Sequence, residues 1–112
     1  MPPINPNETY SSLILQYLYD AVIVTDLNFC ITSWNHSAEK IYGYSQSEAI
    51  GKSTLEILKT ELSPEERQRS IQELNSTGYW LGEVIQVAKN GQRLNIRSAV
   101  SFLKDKTGKT IG

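Results

Sequence analysis

At 112 residues the chain has room for one domain with its own core and not for two. A formal net charge of −1 gives no basic field to hold a polyanion, so nucleic acid is excluded as an expected partner. The single cysteine, Cys30, excludes an internal disulfide and fits a reducing, cytoplasmic compartment; no apolar run approaches bilayer-spanning length.

Residues 1–8 are rich in proline and asparagine and read as an extended or frayed leader without signal-peptide order. Residues 9–19 place Tyr10, Leu13, Ile14, Tyr17 and Leu18 at the spacing of an amphipathic helix. That stripe either covers the back of a sheet or docks on the same helix of a second copy, and the two uses are compatible. The interface candidates are Tyr10, Leu13, Ile14 and Tyr17, because aromatic side chains serve interfaces well.

Residues 21–44 set the plan of the fold. The apolar, β-branched run 21–24 predicts a short strand covered on both faces. Asp26, Leu27 and Asn28 are turn chemistry. Residues 29–34 return as a second strand, and Asn35 stands at the N-cap of a short helix that Gly43 stops. Three Ser-x-x-Glu pairs follow, Ser45–Glu48, Ser53–Glu56 and Ser63–Glu66, each reading as a capping box. The third is reinforced by Pro64 in the first helical position and starts a longer helix ending at Gly78, with Ile71 and Leu74 as its narrow apolar line. Residues 79–88 and 93–103 form a second hairpin. A two-residue turn sets Ile85 beside Ile96; a three-residue loop, Lys89-Asn90-Gly91, sets Val84 and Gln86 on that face instead. Asp105 to Gly108 is a further turn, and residues 109–112 begin a fifth strand. Strands at both ends with helices between them predict an α+β domain, an antiparallel sheet with helices over one face.

In this order the residues resemble the PAS family of sensory domains. The resemblance runs from about Leu18 to Ile111. It rests on the turn in VTDLNFCIT, the Trp34-Asn35 junction, GYSQSEAIGK, Trp80-x-Gly82-Glu83, Lys89-Asn90-Gly91 and the turn closed by Gly108. It implies a PAS-like, profilin-like sheet of five antiparallel strands, with helices arching over a small pocket, across residues 20–112. It also favours the three-residue loop. The pocket candidates it implies are Ile23, Thr25, Leu55, Ile71, Leu74, Val84, Gln86, Ile96 and Ser98. The function implied is a sensory input module that binds a small ligand or partner and relays the change to a covalently linked output domain. Outputs frequent in the family are histidine kinases, cyclic-dinucleotide enzymes and transcription regulators. The alternative is a ligand-free module for dimerisation and relay. The family commonly has glycine in the first turn, where Asn28 stands here. The fifth strand is incomplete within these residues, so either the fold closes around the gap or a neighbouring chain fills it.

The chemistry is sparse. His36, the only histidine, follows an N-cap and reads as an exposed polar side chain, with no metal-ligand spacing around it. The helix from Pro64 carries no histidine, which argues against haem. The region where flavin photosensors of the family carry a reactive cysteine reads Gly51-Lys52-Ser53-Thr54, which argues against a covalent flavin adduct. A non-covalently held flavin or a small metabolite stays open. Cys30 reads as a small buried hydrophobe. Gln86 and Ser98 are polar positions in an apolar lining and need partners: each other, a water or a ligand. Arg97 is expected outside. No nucleophile–base pair or phosphate-cradling loop is present, so the segment is not expected to be an enzyme.

Overall fold

The computed structural model describes residues 19–112. The helix expected at 9–19, with Tyr10, Leu13, Ile14 and Tyr17, lies outside the described residues apart from Tyr19. Strand β1, Ile23–Thr25, pairs antiparallel with β2, Ile31–Trp34, and a register shift falls between Val24 and Thr25. Four helices follow: α1, His36–Tyr42; α2, Gln46–Ala49; α3, Thr54–Leu58; and α4, Pro64–Thr77. Strands β3, Tyr79–Val87, and β4, Arg93–Ser101, form a long antiparallel hairpin. Among the described residues no helix is long and apolar enough to cross a membrane.

The helix ends obey the local chemistry. Asn35 caps α1 by accepting from the Ala38 amide at 3.0 Å, and Gly43 ends it with φ +82°. Asn35 also accepts from the Val22 amide and donates to the Asp20 carbonyl, both at 2.9 Å, so one buried amide staples the entry of β1 to the start of α1. Of the three expected capping boxes only Ser45–Glu48 is reciprocal. Ser53 and Ser63 cap with their hydroxyls alone, and Glu66 lines a groove instead of turning back. The left-handed residue of the first turn is Phe29, at φ +64°, and not Asn28. Asp26 holds it there: its carboxylate accepts from the amides of Asn28 and Cys30, on either side of Phe29.

The expected five-stranded sheet is not formed by the described residues; β1–β2 and β3–β4 are separate two-stranded sheets. The reason lies in residues 103–112. The Ile111 amide donates to the Leu103 carbonyl at 2.8 Å, and the Leu103 amide donates to the Gly112 carbonyl at 2.9 Å. On its other side Gly112 abuts β1, where a Cβ would stand 2.0 Å from the Thr25 carbonyl oxygen. This tail therefore occupies the place of a fifth strand, between the hairpins. Among the described residues its ladder is short: the isolated Lys104–Thr110 bridge, the Asp105 amide on the Lys109 carbonyl, and these two bonds. Strand β1 is half-buried along its length, not covered on both faces.

The core gathers on the helix side: Ile31, Trp34, Ala38, Tyr42, Ala49, Ile57 and Leu58 are buried together. Trp34 and Tyr42 are tilted against each other with ring centroids 5.5 Å apart, a favourable aromatic geometry. Ile23, Leu94 and Ile96 pack on this cluster from the strands. Cys30 is half-buried, not fully buried, at the strand end that bridges to the half-buried Ser53.

Candidate functional site

The β3–β4 hairpin decides which side chains face inward. Ala88 pairs with Gln92 across Lys89-Asn90-Gly91, a three-residue loop with Gly91 at φ +88°. The register then sets Val84 opposite Ile96, Gln86 opposite Leu94 and Gly82 opposite Ser98. Side chains alternate along a strand, so these residues share one face with Trp80. It is the better buried face: Val84 and Gln86 are buried, and Leu94, Ile96 and Ser98 are half-buried. Gly82 has a specific role here. A Cβ at that position would stand 2.4 Å from the Trp80 ring, so only glycine lets the indole lie flat along the strand.

Gln86 is the polar centre of this wall. Its Oε1 accepts from the Tyr42 hydroxyl at 2.5 Å, and its Nε2 donates to the Thr60 hydroxyl at 3.0 Å. One side chain on the sheet thus holds the end of α1 and the segment between α3 and α4. Among the described residues its amide keeps one further N–H and one further lone pair. Burial pushes the Tyr42 phenol up to about 12, so it stays a neutral donor. Neighbouring backbone bonds reinforce both attachments. The Lys89 amide donates to the Tyr42 carbonyl at 2.8 Å, and the Glu61 amide donates to the Ile85 carbonyl at 2.8 Å. The Lys89 ammonium pairs with the Glu48 carboxylate and lies 5.9 Å from the Tyr44 ring centre. That ammonium, with the Ser45 groups of the capping box, lowers the Glu48 carboxyl to about 2.

The candidates read from the sequence divide. Ile23 and Ile96 pack on the core cluster, Val84 and Gln86 are buried beside it, and Ser98 and Leu74 are half-buried. Thr25 sits at the end of β1 against Gly112. Leu55 and Ile71 do not join them: they are 64% and 53% exposed. A cleft of about 580 Å³ is open to solvent and is lined by Glu61, Glu66, Glu83 and Arg97 as well as Val84 and Ile96. Gln86's partners were not legible in the sequence. Tyr42 lies 44 positions away and Thr60 lies 26, and no local pattern links them.

Among the described residues no group of three or more His, Cys, Asp or Glu side chains is placed to hold a metal ion. His36 is exposed beside Glu39. The cleft offers a ligand the apolar Val84, Ile85 and Ile96 together with three carboxylates, the Arg97 guanidinium and the Asn95 amide, and Gln86 lies buried behind it.

No curated protein sequence matches the chain. Among solved structures it is similar to the PAS domain of a protein from Colwellia psychrerythraea, at 28% identity and TM-score 0.77, over 91% of this chain and 86% of that one. It is similar in fold to the PAS domain of nitrogen regulation protein NR(II) from Vibrio parahaemolyticus, at 18% identity and TM-score 0.73, over 93% and 92%. The light-state dimer of the fungal blue-light photoreceptor Vivid matches at 18% identity and TM-score 0.67, over 98% and 79%. The family model for the PAS fold matches residues 10–112, nearly the whole chain. With its hairpin–helices–hairpin order and the Trp34-Asn35 and Trp80-x-Gly82 junctions in their structural roles, the protein belongs to the PAS family of sensory domains.

Proposed function

We propose that this PAS domain is the input module of a signal-transduction protein such as a sensor histidine kinase. It binds a small, largely apolar ligand against the Val84–Ile96 wall and relays binding to an output domain. The observation that carries this reading is Gln86: a buried amide that ties two helical segments to the sheet and retains hydrogen-bonding capacity. A ligand that takes this amide weakens its hold on Tyr42 and Thr60 and so shifts the helices. A population shift of this kind needs only a differential affinity for two arrangements. A small metabolite or a non-covalently bound flavin fits these requirements.

A second reading, a ligand-free relay module that dimerises through Tyr10, Leu13, Ile14 and Tyr17, is favoured by one observation. The buried cluster around Trp34 and Tyr42 is filled by its own side chains, and the cleft beside Val84 and Ile96 is open and partly charged. Native mass spectrometry with an absorbance spectrum separates the two. Excess mass released on denaturation, or a visible band, supports the ligand reading. A bare mass, with no shift of the Gln86 side-chain amide resonance across a metabolite and flavin panel, leaves the relay reading.

A further inference from the structure

We propose that the outer edge of β3 is a docking site for an extended, lysine- or arginine-rich peptide segment of another polypeptide, added as an extra antiparallel strand. In an antiparallel ladder both backbone groups of a residue point to the same neighbour, and successive residues alternate. Ala88 bonds the β4 side at Gln92, so Val84, Gly82 and Trp80 do likewise, and Ile85, Glu83, Leu81 and Tyr79 present their groups to the opposite edge. The edge already takes partners where the chain supplies them. The Ile85 carbonyl accepts from the Glu61 amide, and the Tyr79 carbonyl accepts from the Thr77 hydroxyl at 2.9 Å. Between these two points the backbone groups of Leu81 and Glu83 have no hydrogen-bond partner among the described residues. The nine residues of β3 hold one continuous register, with no bulge and no proline to blunt the edge.

The space beside this edge is shaped for a chain. A groove of about 280 Å³ runs between it and α4, walled by Glu66, Arg69 and Glu73 of the helix and by Leu81 and Glu83 of the strand, with Leu62 also lining it. The wall carries three carboxylates against one guanidinium. Glu66, Glu73 and Glu83 form no ion pair among the described residues. An extended segment with alternating basic and apolar side chains would satisfy the two free backbone positions, bring cations to the carboxylates and cover Leu81, which is 65% exposed.

Two stretches of this sequence are unsuited to be the occupant. Residues 1–18 contain no lysine or arginine. Its lysine-rich stretch, Lys104, Lys106 and Lys109, is folded into the tight hairpin of the Lys104–Thr110 bridge. The site is separate from Gln86 and does not rest on the ligand reading.

The test uses the whole chain and a short fluorescein-labelled peptide of alternating lysine and valine, read by fluorescence anisotropy. Two peptides with alternate amides N-methylated, one for each strand face, serve as probes of strand addition. The expected result is saturable binding that one of the two methylated peptides loses by about tenfold, the loss of a pair of backbone hydrogen bonds. Glu66→Lys with Glu73→Lys, both on exposed helix positions, is expected to weaken binding comparably while leaving the circular dichroism spectrum unchanged. Absence of saturable binding, equal binding of both methylated peptides and the parent, or equal binding of an aspartate–valine peptide overturns the proposal. So does sedimentation showing that the free chain already pairs with itself and that Leu81→Pro abolishes the pairing, since the occupant is then a second copy.

Discussion

Replacing Gln86 with leucine isolates the contribution of its amide. Leucine fills much of the same volume against Val84 and Leu94 but offers no hydrogen bond. The Tyr42 hydroxyl is then left with a buried, unpaired donor, a penalty of about 1–3 kcal/mol. The Thr60 hydroxyl is less enclosed and loses less. A total of about 2 kcal/mol lowers the melting temperature of a domain this size by roughly 10 °C. Tyr42→Phe removes the same donor, so the double variant should be less destabilised than the sum of the singles, by a coupling of about 1 kcal/mol. Thermal melts followed by circular dichroism on the four proteins complete the cycle. Full additivity, or a Gln86→Leu protein that melts with the parent, refutes the reasoning that this contact clamps helix to sheet.

Three further outcomes follow from the geometry. The Tyr42 phenol is raised from 10.0 to about 12, so the stability tied to its neutral form is fully present below pH 10 and is lost as pH climbs through about 12; ultraviolet titration should show a late phenol step that Tyr42→Phe removes. The Glu48 carboxyl is lowered from 4.5 to about 2, so its contribution is present above pH 4.5 and is lost as pH falls towards 2; Glu48→Gln should flatten that part of an acid-unfolding curve. Gly82→Ala drives a Cβ into the Trp80 ring and should cost about 1–3 kcal/mol with a red shift of tryptophan emission, and Trp80→Leu in the same protein should restore much of the loss.

Much of the fold was legible because its signals are local. The N-cap at Asn35, the stops at Gly43 and Gly78, and Pro64 opening α4 each act within a few residues and stand where the sequence placed them. The choice between two turn lengths at Lys89-Asn90-Gly91 was not local, yet the PAS resemblance favoured the loop observed and with it the inward Val84 and Gln86. What escaped turned on which of several available contacts a side chain makes. Phe29 takes the left-handed position because Asp26 binds the amides flanking it, against the preference of the residue types. Ser53-x-x-Glu56 and Ser63-x-x-Glu66 satisfy the capping pattern, but the glutamates remain free to face solvent or the β3 groove. Exposure of Leu55 and Ile71 follows from how α3 and α4 lie against the sheet, which periodicity does not encode.

Backbone amide hydrogen exchange in Gln86→Ala reads the clamp most directly. The Lys89 amide bonds the end of α1 and the Glu61 amide bonds β3, while the Ile31 amide bonds Lys52 in a part of the fold that Gln86 does not touch. Faster exchange at Lys89 and Glu61 with Ile31 unchanged is the predicted result. Unaltered exchange at Lys89 and Glu61, or equal acceleration at all three amides, would contradict it.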